Sequence, residues 1–339
     1  MKNFKKKYFD YNKDANTVEE PKPEYGNRCL YCYEILKGVN GDFHEACNKR
    51  FFGQLKTPVL QYSLNNLQEL ATQVVQSQQA VTGVQAKVSL SLFKKAEKNV
   101  TKKLTIVGLY GDYILKPPSE FYQELPELEN VTMRMAETCG LNVVPSSLVK
   151  LQDKTLCYIT KRIDRTRKEK LHMEDMCQLS ERLTEDKYKG SHEQVAKLIL
   201  KYSSSPLLDV SNFYELVLFS FFTGNADMHL KNFSLIEKPF LGMVLSPAYD
   251  LVPTALINEL DNEELALTLN AKKRKLNYND FLAAYENCGL SKKVLDNTLE
   301  LFKYCKPEIM SVLQKSFVSE QMKKKYALLV NTRYKQLGL

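Results

Sequence analysis

The chain has 339 residues, 44% of them hydrophobic and 26% charged, with a formal net charge of +8. That length allows a sizeable core and more than one folding unit, and the balance is ordinary for a soluble globular protein. No apolar run reaches the roughly 18 residues that span a bilayer, and the basic start MKNFKKKYFDYNKD has no apolar h-region, which argues against a membrane-spanning or secreted chain.

The eight cysteines do not form a secreted disulfide pattern. Cys139, Cys157, Cys177, Cys288 and Cys305 stand singly in apolar or helical surroundings, which suits a reducing cytoplasm. Lysines gather at Lys5 to Lys7, Lys272 to Lys275 and Lys323 to Lys325. Such runs allow contact with nucleic acid or an acidic protein, but a solvated face is the simpler reading.

Residues 1–25 are polar and read as a mobile tail. A segment over 26–56 follows, with Cys29, Cys32, His44 and Cys47 spaced as C-x2-C, eleven residues, H-x2-C. Two short chelating pairs supply the edges of a tetrahedral Zn²⁺ site, closed and structural because all four positions are filled. Unrelated thiol pairs are the alternative. From Asn65 to Gln79 the apolar period is helical, and VSLSLF alternates as a strand. Between them, TGVQAK is a short turn able to close over phosphates through backbone N–H groups, though with one glycine it is a weak signal. Asn99 to Gly111 reads as a hairpin around LTIVGLY. YILKPP then places Lys116 at a strand end, where it either reaches phosphates or is merely exposed.

Leu125 to Gly140 reads as a helix with Val131, Met133, Met135 and Ala136 inward and Gly140 closing it. VVPSSLVKL and TLCYITKRIDR follow as strands, so 57–165 is a sheet with a helix. Residues 166–339 are mainly helical, including EDMCQLS, Glu193 to Tyr202, Asn212 to Phe222 and most of Phe281 to Leu339.

The apolar helix FYELVLFSFF runs into GNADMHLKNFS, which holds Asp227, His229, Lys231 and Asn232. A second acid, Asp250, ends LSPAYD behind another apolar run. An Asp, an Asn five residues on and a later Asp are the parts of a phosphotransfer site: the first orients a hydroxyl, and the Asn and second Asp hold Mg²⁺. A polar loop that only satisfies its own turn is the alternative.

NADMHLKNFS, LSPAYDLVPT, TGVQAKVSL, YILKPP, ITKRIDR and EDMCQ, in this order, resemble the HipA family of serine/threonine kinases, the toxin halves of bacterial toxin–antitoxin pairs. The resemblance covers about residues 60–330 and implies an α+β, two-lobed protein-kinase-like fold, preceded here by the zinc segment. It implies that Asp227 is the catalytic base, with His229 in the same motif, that Asn232 and Asp250 are Mg²⁺ ligands, and that Lys116 meets the ATP phosphates. TGVQAK, with Gly83, Gln85 and Lys87, matches the phosphate-side loop. Lys161, Arg162 and Ile163 match the stretch whose backbone meets adenine, and Glu129 matches an acid that pairs with Lys116. The implied partners are a protein acceptor such as an aminoacyl-tRNA synthetase and a HipB-like DNA-binding antitoxin.

Two departures stand out. The family's regulatory serine position is Ala80 here, leaving Ser77, Thr82 or Ser89 as substitutes. An N-terminal subdomain of longer members is missing or comes from a separately encoded partner. Two rival readings remain: a kinase-fold corepressor acting with the antitoxin, and a small-molecule kinase. The D-x-H order counts against the latter.

Overall fold

The computed structural model describes residues 27–38, 41–67, 69, 87–93, 103–107, 111–166, 169–258 and 260–339. Most of the expected Asn65 to Gln79 helix lies outside them, as do Ser77, Ala80, Thr82, Gly83 and Gln85. Helix α1 (Glu45–Phe52) closes the Cys/His segment. Strands β1 (Val88–Phe93), β2 (Lys103–Ile106) and β3 (Tyr113–Lys116) follow. Next come helix α2 (Leu125–Thr138) and strands β4 (Ser146–Lys150) and β5 (Leu156–Lys161). The five strands form one antiparallel sheet in the order β2-β1-β3-β5-β4.

That order corrects the hairpin expected within Asn99 to Gly111. β2 pairs with β1 instead, Leu90 facing Ile106, and β1 separates β2 from β3. Apolar alternation tells that a segment is a strand but not which neighbour it takes.

Helix α2 follows from its sequence. Pro126 and Glu127 lie in its first turn, where a missing N–H costs nothing and an acid meets the positive end of the helix dipole. Leu128, Val131 and Met135 share a buried face. Gly140, at φ 86°, takes the left-handed turn that ends it.

Beyond the sheet the chain is mainly helical. β6 (Met173–Asp175) leads into the single turn α3 (Met176–Leu179). Helices α4 (His192–Tyr202) and α5 (Pro206–Thr223) pack together. Strands β7 (Ser234–Lys238) and β8 (Gly242–Leu245) join β6 in a second sheet, ordered β6-β7-β8. The sequence did not announce this sheet, because strands of three to five residues are too short for a period. Helices α6 (Thr254–Ile257), α7 (Tyr278–Glu286), α8 (Lys292–Lys315) and α9 (Glu320–Gln336) complete the chain. The fold is thus the expected α+β, two-lobed arrangement.

The Cys/His segment is part of this body. Tyr31, Tyr33, Phe43, Phe51 and Phe52 are buried in the main apolar core. The Leu30 carbonyl accepts from the Ser147 hydroxyl at 3.2 Å, and Glu34 pairs with Lys315 at 2.7 Å. The Tyr33 ring meets Phe317 edge-on at 5.4 Å. The segment therefore touches both the β4 side and the C-terminal helices. Among the described residues, no helix is long and apolar enough to cross a membrane.

Candidate active site

Helix α5 is the floor of the site. Phe213, Phe219, Phe221 and Phe222 are buried, and Phe222 lies 4.3 Å from the Tyr334 ring centroid. The helix stops at Gly224, φ 67°, where a Cβ would come within 2.5 Å of Leu329 Cδ2. The left-handed turn favours glycine there, and a Cβ would also make Leu329 shift. The chain then enters the polar loop, which its own bonds hold in shape. The Ala226 N–H donates to Thr254 Oγ1 at 2.8 Å, and the Asp227 N–H to Asn225 Oδ1 at 3.1 Å. Asn232 Nδ2 donates to the Asp227 carbonyl at 2.9 Å. That bond leaves the Asn232 Oδ1 lone pairs for another partner.

The sheet supplies the facing side. Lys116, at the end of β3, is buried, which overturns the exposed strand-end alternative. Its Nζ donates to Glu129 Oε1 on α2 at 2.7 Å and also to Asp250 Oδ1. Lys87 Nζ reaches the other Asp250 oxygen at 3.2 Å. Burial pulls the Lys116 amine below its ordinary range, and the Glu129 and Asp227 carboxylates oppose that pull. Asp250 itself has φ 58°, a left-handed conformation that Asp tolerates.

His229 is buried beside Asp227, with Nδ1 unpartnered. Burial lowers its pKa to about 4, with the Asp227 charge opposing, so the ring is neutral near pH 7. An acid, an amide, a second acid and a buried lysine from distant parts of the sequence thus share one site.

The adenine-stretch residues sit differently. Lys161 Nζ turns away to the Arg50 carbonyl at 3.4 Å, and the Arg162 guanidinium clamps Asp164 at 2.7 and 3.0 Å. The Lys161 and Arg162 backbone N–H groups already donate to Pro145 and Asp112 carbonyls. Both side chains are thus engaged with protein groups. A cavity of about 170 Å³ lies there, lined by Asp112, Tyr113, Lys161, Arg162, Arg165 and Thr166. Tyr113 faces Lys161 across the β3–β5 pair, and Lys116 stands three residues further along β3. The cavity and the lysine are thus about 10 Å apart along the strand.

Some site residues escaped the sequence reading. Asp175 caps α3 and pairs with Lys231 at 2.7 Å, so it orients the loop. The Tyr249 hydroxyl donates to the Lys231 carbonyl at 3.0 Å and lies 2.6 Å from Ser234 Oγ, tying the Asp250 segment to the loop. Their signals were present, in EDMCQ and PAYD, but pattern alone does not show which carbonyl a tyrosine meets. Tyr188 had no signal; its phenol donates to Asp227 Oδ1.

The second cluster is the Cys/His set. The ligand atoms of Cys29, Cys32, His44 and Cys47 all lie within 4.8 Å of one another. His44 Nδ1 is 3.4 Å from Cys32 Sγ and 3.8 Å from Cys47 Sγ, while its Nε2 meets the Ile35 carbonyl at 3.2 Å. Hydrogen bonding from the Cys32 thiol lowers the Cys29 pKa, and the same contact together with burial raises that of Cys32.

Residues 79–308, well over half the chain, match the HipA-like C-terminal domain family. The chain belongs to that family. A Haemophilus influenzae protein named "Putative kinase" is 29% identical over 295 residues, covering 77% of this chain and 81% of that one. The serine/threonine-protein kinase toxin HipA of Shewanella oneidensis is 29% identical over 212 residues. That match covers 56% of this chain and 46% of that one, less than half of the toxin's length. Among solved structures, the S. oneidensis complex of HipA, HipB and operator DNA contains a chain of similar fold, with a TM-score of 0.65 at 20% identity. The superposition covers 89% of this chain and 74% of that chain.

Proposed function

We propose that this HipA-like chain is an ATP- and Mg²⁺-dependent serine/threonine protein kinase, the toxin of a toxin–antitoxin pair. The observation that carries the reading is the buried Lys116–Glu129 pair, with Asp250 on the same lysine and the Asp227–Asn232 loop beside it. A purely structural lysine has no need of two carboxylates from separate elements facing a polar loop.

The residues fit the cofactors. Asn232 Oδ1 and the Asp250 carboxylate are hard oxygen ligands of the kind Mg²⁺ takes. Once bound, Mg²⁺ would neutralise the phosphate charge that Asp250 alone would repel. Lys116 would then meet phosphate oxygens in place of Asp250, with Glu129 holding the ammonium in place. The neutral His229 ring adds no charge beside Asp227. Asp227 accepts the hydrogen bond of an incoming serine or threonine hydroxyl, orients its oxygen and takes its proton as the bond to the γ-phosphorus forms and the bond to the β–γ bridging oxygen breaks, with ADP leaving. The cavity by Arg162 takes the base, with the backbone at Ile163 the group left for it, since the Lys161 and Arg162 N–H groups are engaged.

The Cys29, Cys32, His44 and Cys47 set fits a structural Zn²⁺. Three sulfurs and one imidazole converge, and the Ile35 carbonyl orients the ring with Nδ1 inward. A HipB-like antitoxin is the partner that this reading implies, and the family resemblance makes an aminoacyl-tRNA synthetase the candidate acceptor.

Calorimetric titration with ATP tests the nucleotide half. Binding should require Mg²⁺ and weaken in Asn232→Ala and Asp250→Ala. ATP affinity that is indifferent to Mg²⁺ and to both substitutions counts against the reading, and no affinity at all leaves the corepressor alternative.

A further inference from the structure

Asp227 already carries a hydroxyl. The phenol of Tyr188, which lies 39 residues earlier in the chain, donates to its Oδ1. Tyr188 stands in the turn before α4, and that turn is tied to the same loop at one end and to the segment at Thr268 at the other. The Leu230 N–H donates to the Lys187 carbonyl at 3.0 Å, and the Thr268 N–H and Oγ1 donate to the Gly190 carbonyl at 3.3 and 3.2 Å. The Tyr188 ring meets His229 edge-on at 5.0 Å, and Lys187 Nζ lies 4.9 Å from the ring's centroid. The phenol is therefore held in place from two sides.

The Asp227 backbone is fully engaged, its N–H by Asn225 and its carbonyl by Asn232. The carboxylate is what remains to receive a hydroxyl, and the phenol holds one of its oxygens. A tyrosine hydroxyl and a serine or threonine hydroxyl make the same demand on that lone pair. A water molecule makes it too. All three compete for that oxygen.

We infer that Tyr188 is a positioning residue that fills the acceptor-hydroxyl place on Asp227 until a protein substrate displaces it, and so keeps water off the base. This rests on the kinase reading above. Without the phenol, water donates to Asp227 Oδ1 and its oxygen attacks the γ-phosphorus. The bond to the β–γ bridging oxygen breaks, the water proton passes to Asp227 and then to solvent, and the products are ADP and phosphate. With the phenol in place water must compete for that oxygen, so the route is slowed, and Mg·ATP is held for a hydroxyl that can push Tyr188 aside.

The test is Tyr188→Phe, which keeps the ring against His229 and removes only the hydroxyl. The side chain is partly exposed, so the fold should tolerate the change. With Mg·ATP and no acceptor protein, ADP and phosphate release should rise several-fold over wild type. Mg·ATP affinity measured by calorimetry should stay the same, which a general loosening of the loop would not allow. The double variant with Asp227→Asn should fall to the level of Asp227→Asn alone. Hydrolysis that is unchanged, reduced or undetectable in Tyr188→Phe overturns the inference. So does a phosphate found on Tyr188 by intact mass, which would make it an acceptor. Hydrolysis by the double variant equal to that of Tyr188→Phe strikes the kinase reading instead, because the turnover would then arise elsewhere.

Discussion

The Tyr33 hydroxyl donates to Asn130 Oδ1, and Asn130 follows the residue that holds Lys116. Tyr33 lies one position after Cys32, at φ 65°, in the turn between the first cysteine pair and the rest of its segment. The Cys/His cluster is thus linked by one buried hydrogen bond to the helix that presents Glu129. Metal binding in such segments is folding free energy, because the unfolded segment has no site.

Metal removal follows directly. Purified protein should carry about one Zn²⁺, the stoichiometry of a closed four-ligand site. Chelation or Cys29→Ser should release it and speed amide exchange over residues 27–53. Mg·ATP affinity should fall with it, through Asn130 and Glu129. Exchange over Cys29 to Cys47 that is equally slow without metal would contradict this.

Glu129→Gln separates stability from chemistry. It leaves Lys116 buried without the carboxylate that α2 supplies. Breaking a buried pair on one side costs about 3–5 kcal/mol, and Asp250 on the same amine should hold the loss to the lower end. Urea denaturation should show that loss, together with weaker Mg·ATP binding. Unchanged stability would mean that Asp250 alone neutralises the amine.

A buried histidine makes stability depend on pH. His192 is 1% exposed at the start of α4, and neither ring nitrogen has a hydrogen-bond partner. Burial lowers its pKa from 6.5 to about 3. The unfolded chain takes up the proton near pH 6.5 and the folded chain does not, so the stabilisation is complete above pH 6.5. It falls as pH drops from there towards 3. His229, at about 4, acts with the same sign. Unfolding free energy measured between pH 7 and 4 should decline, and His192→Phe, placed between Phe213 and Phe233, should flatten the slope. An identical slope in the variant would assign the acid sensitivity elsewhere.

Much of this site could be read from the sequence, for a physical reason. Asp227, Asn232 and Asp250 lie close behind apolar runs that are buried by their own composition, so local pattern already places them. Lys116 was legible as a strand end but not as buried, because burial depends on Glu129 from α2 and Asp250 from the far half of the chain. The β1–β2 pairing and the β6-β7-β8 sheet were not legible, since neighbour choice is a tertiary matter and short strands carry no period. Cys139 and Cys305 read as single residues, yet the fold brings their side chains within hydrogen-bonding reach. Lys161 and Arg162 were assigned by resemblance to the adenine stretch, and their side chains serve Arg50 and Asp164.

The most direct measurement is transfer from γ-labelled ATP in a cell extract, with wild type and Asp227→Asn side by side. A positioned general base contributes about 10²–10⁴-fold. The account predicts that wild type labels serine or threonine of a protein target in the presence of Mg²⁺, and that Asp227→Asn loses transfer by about that factor while still binding Mg·ATP. Equal labelling by the two proteins would contradict the assignment of Asp227 and with it the phosphotransfer site built around it.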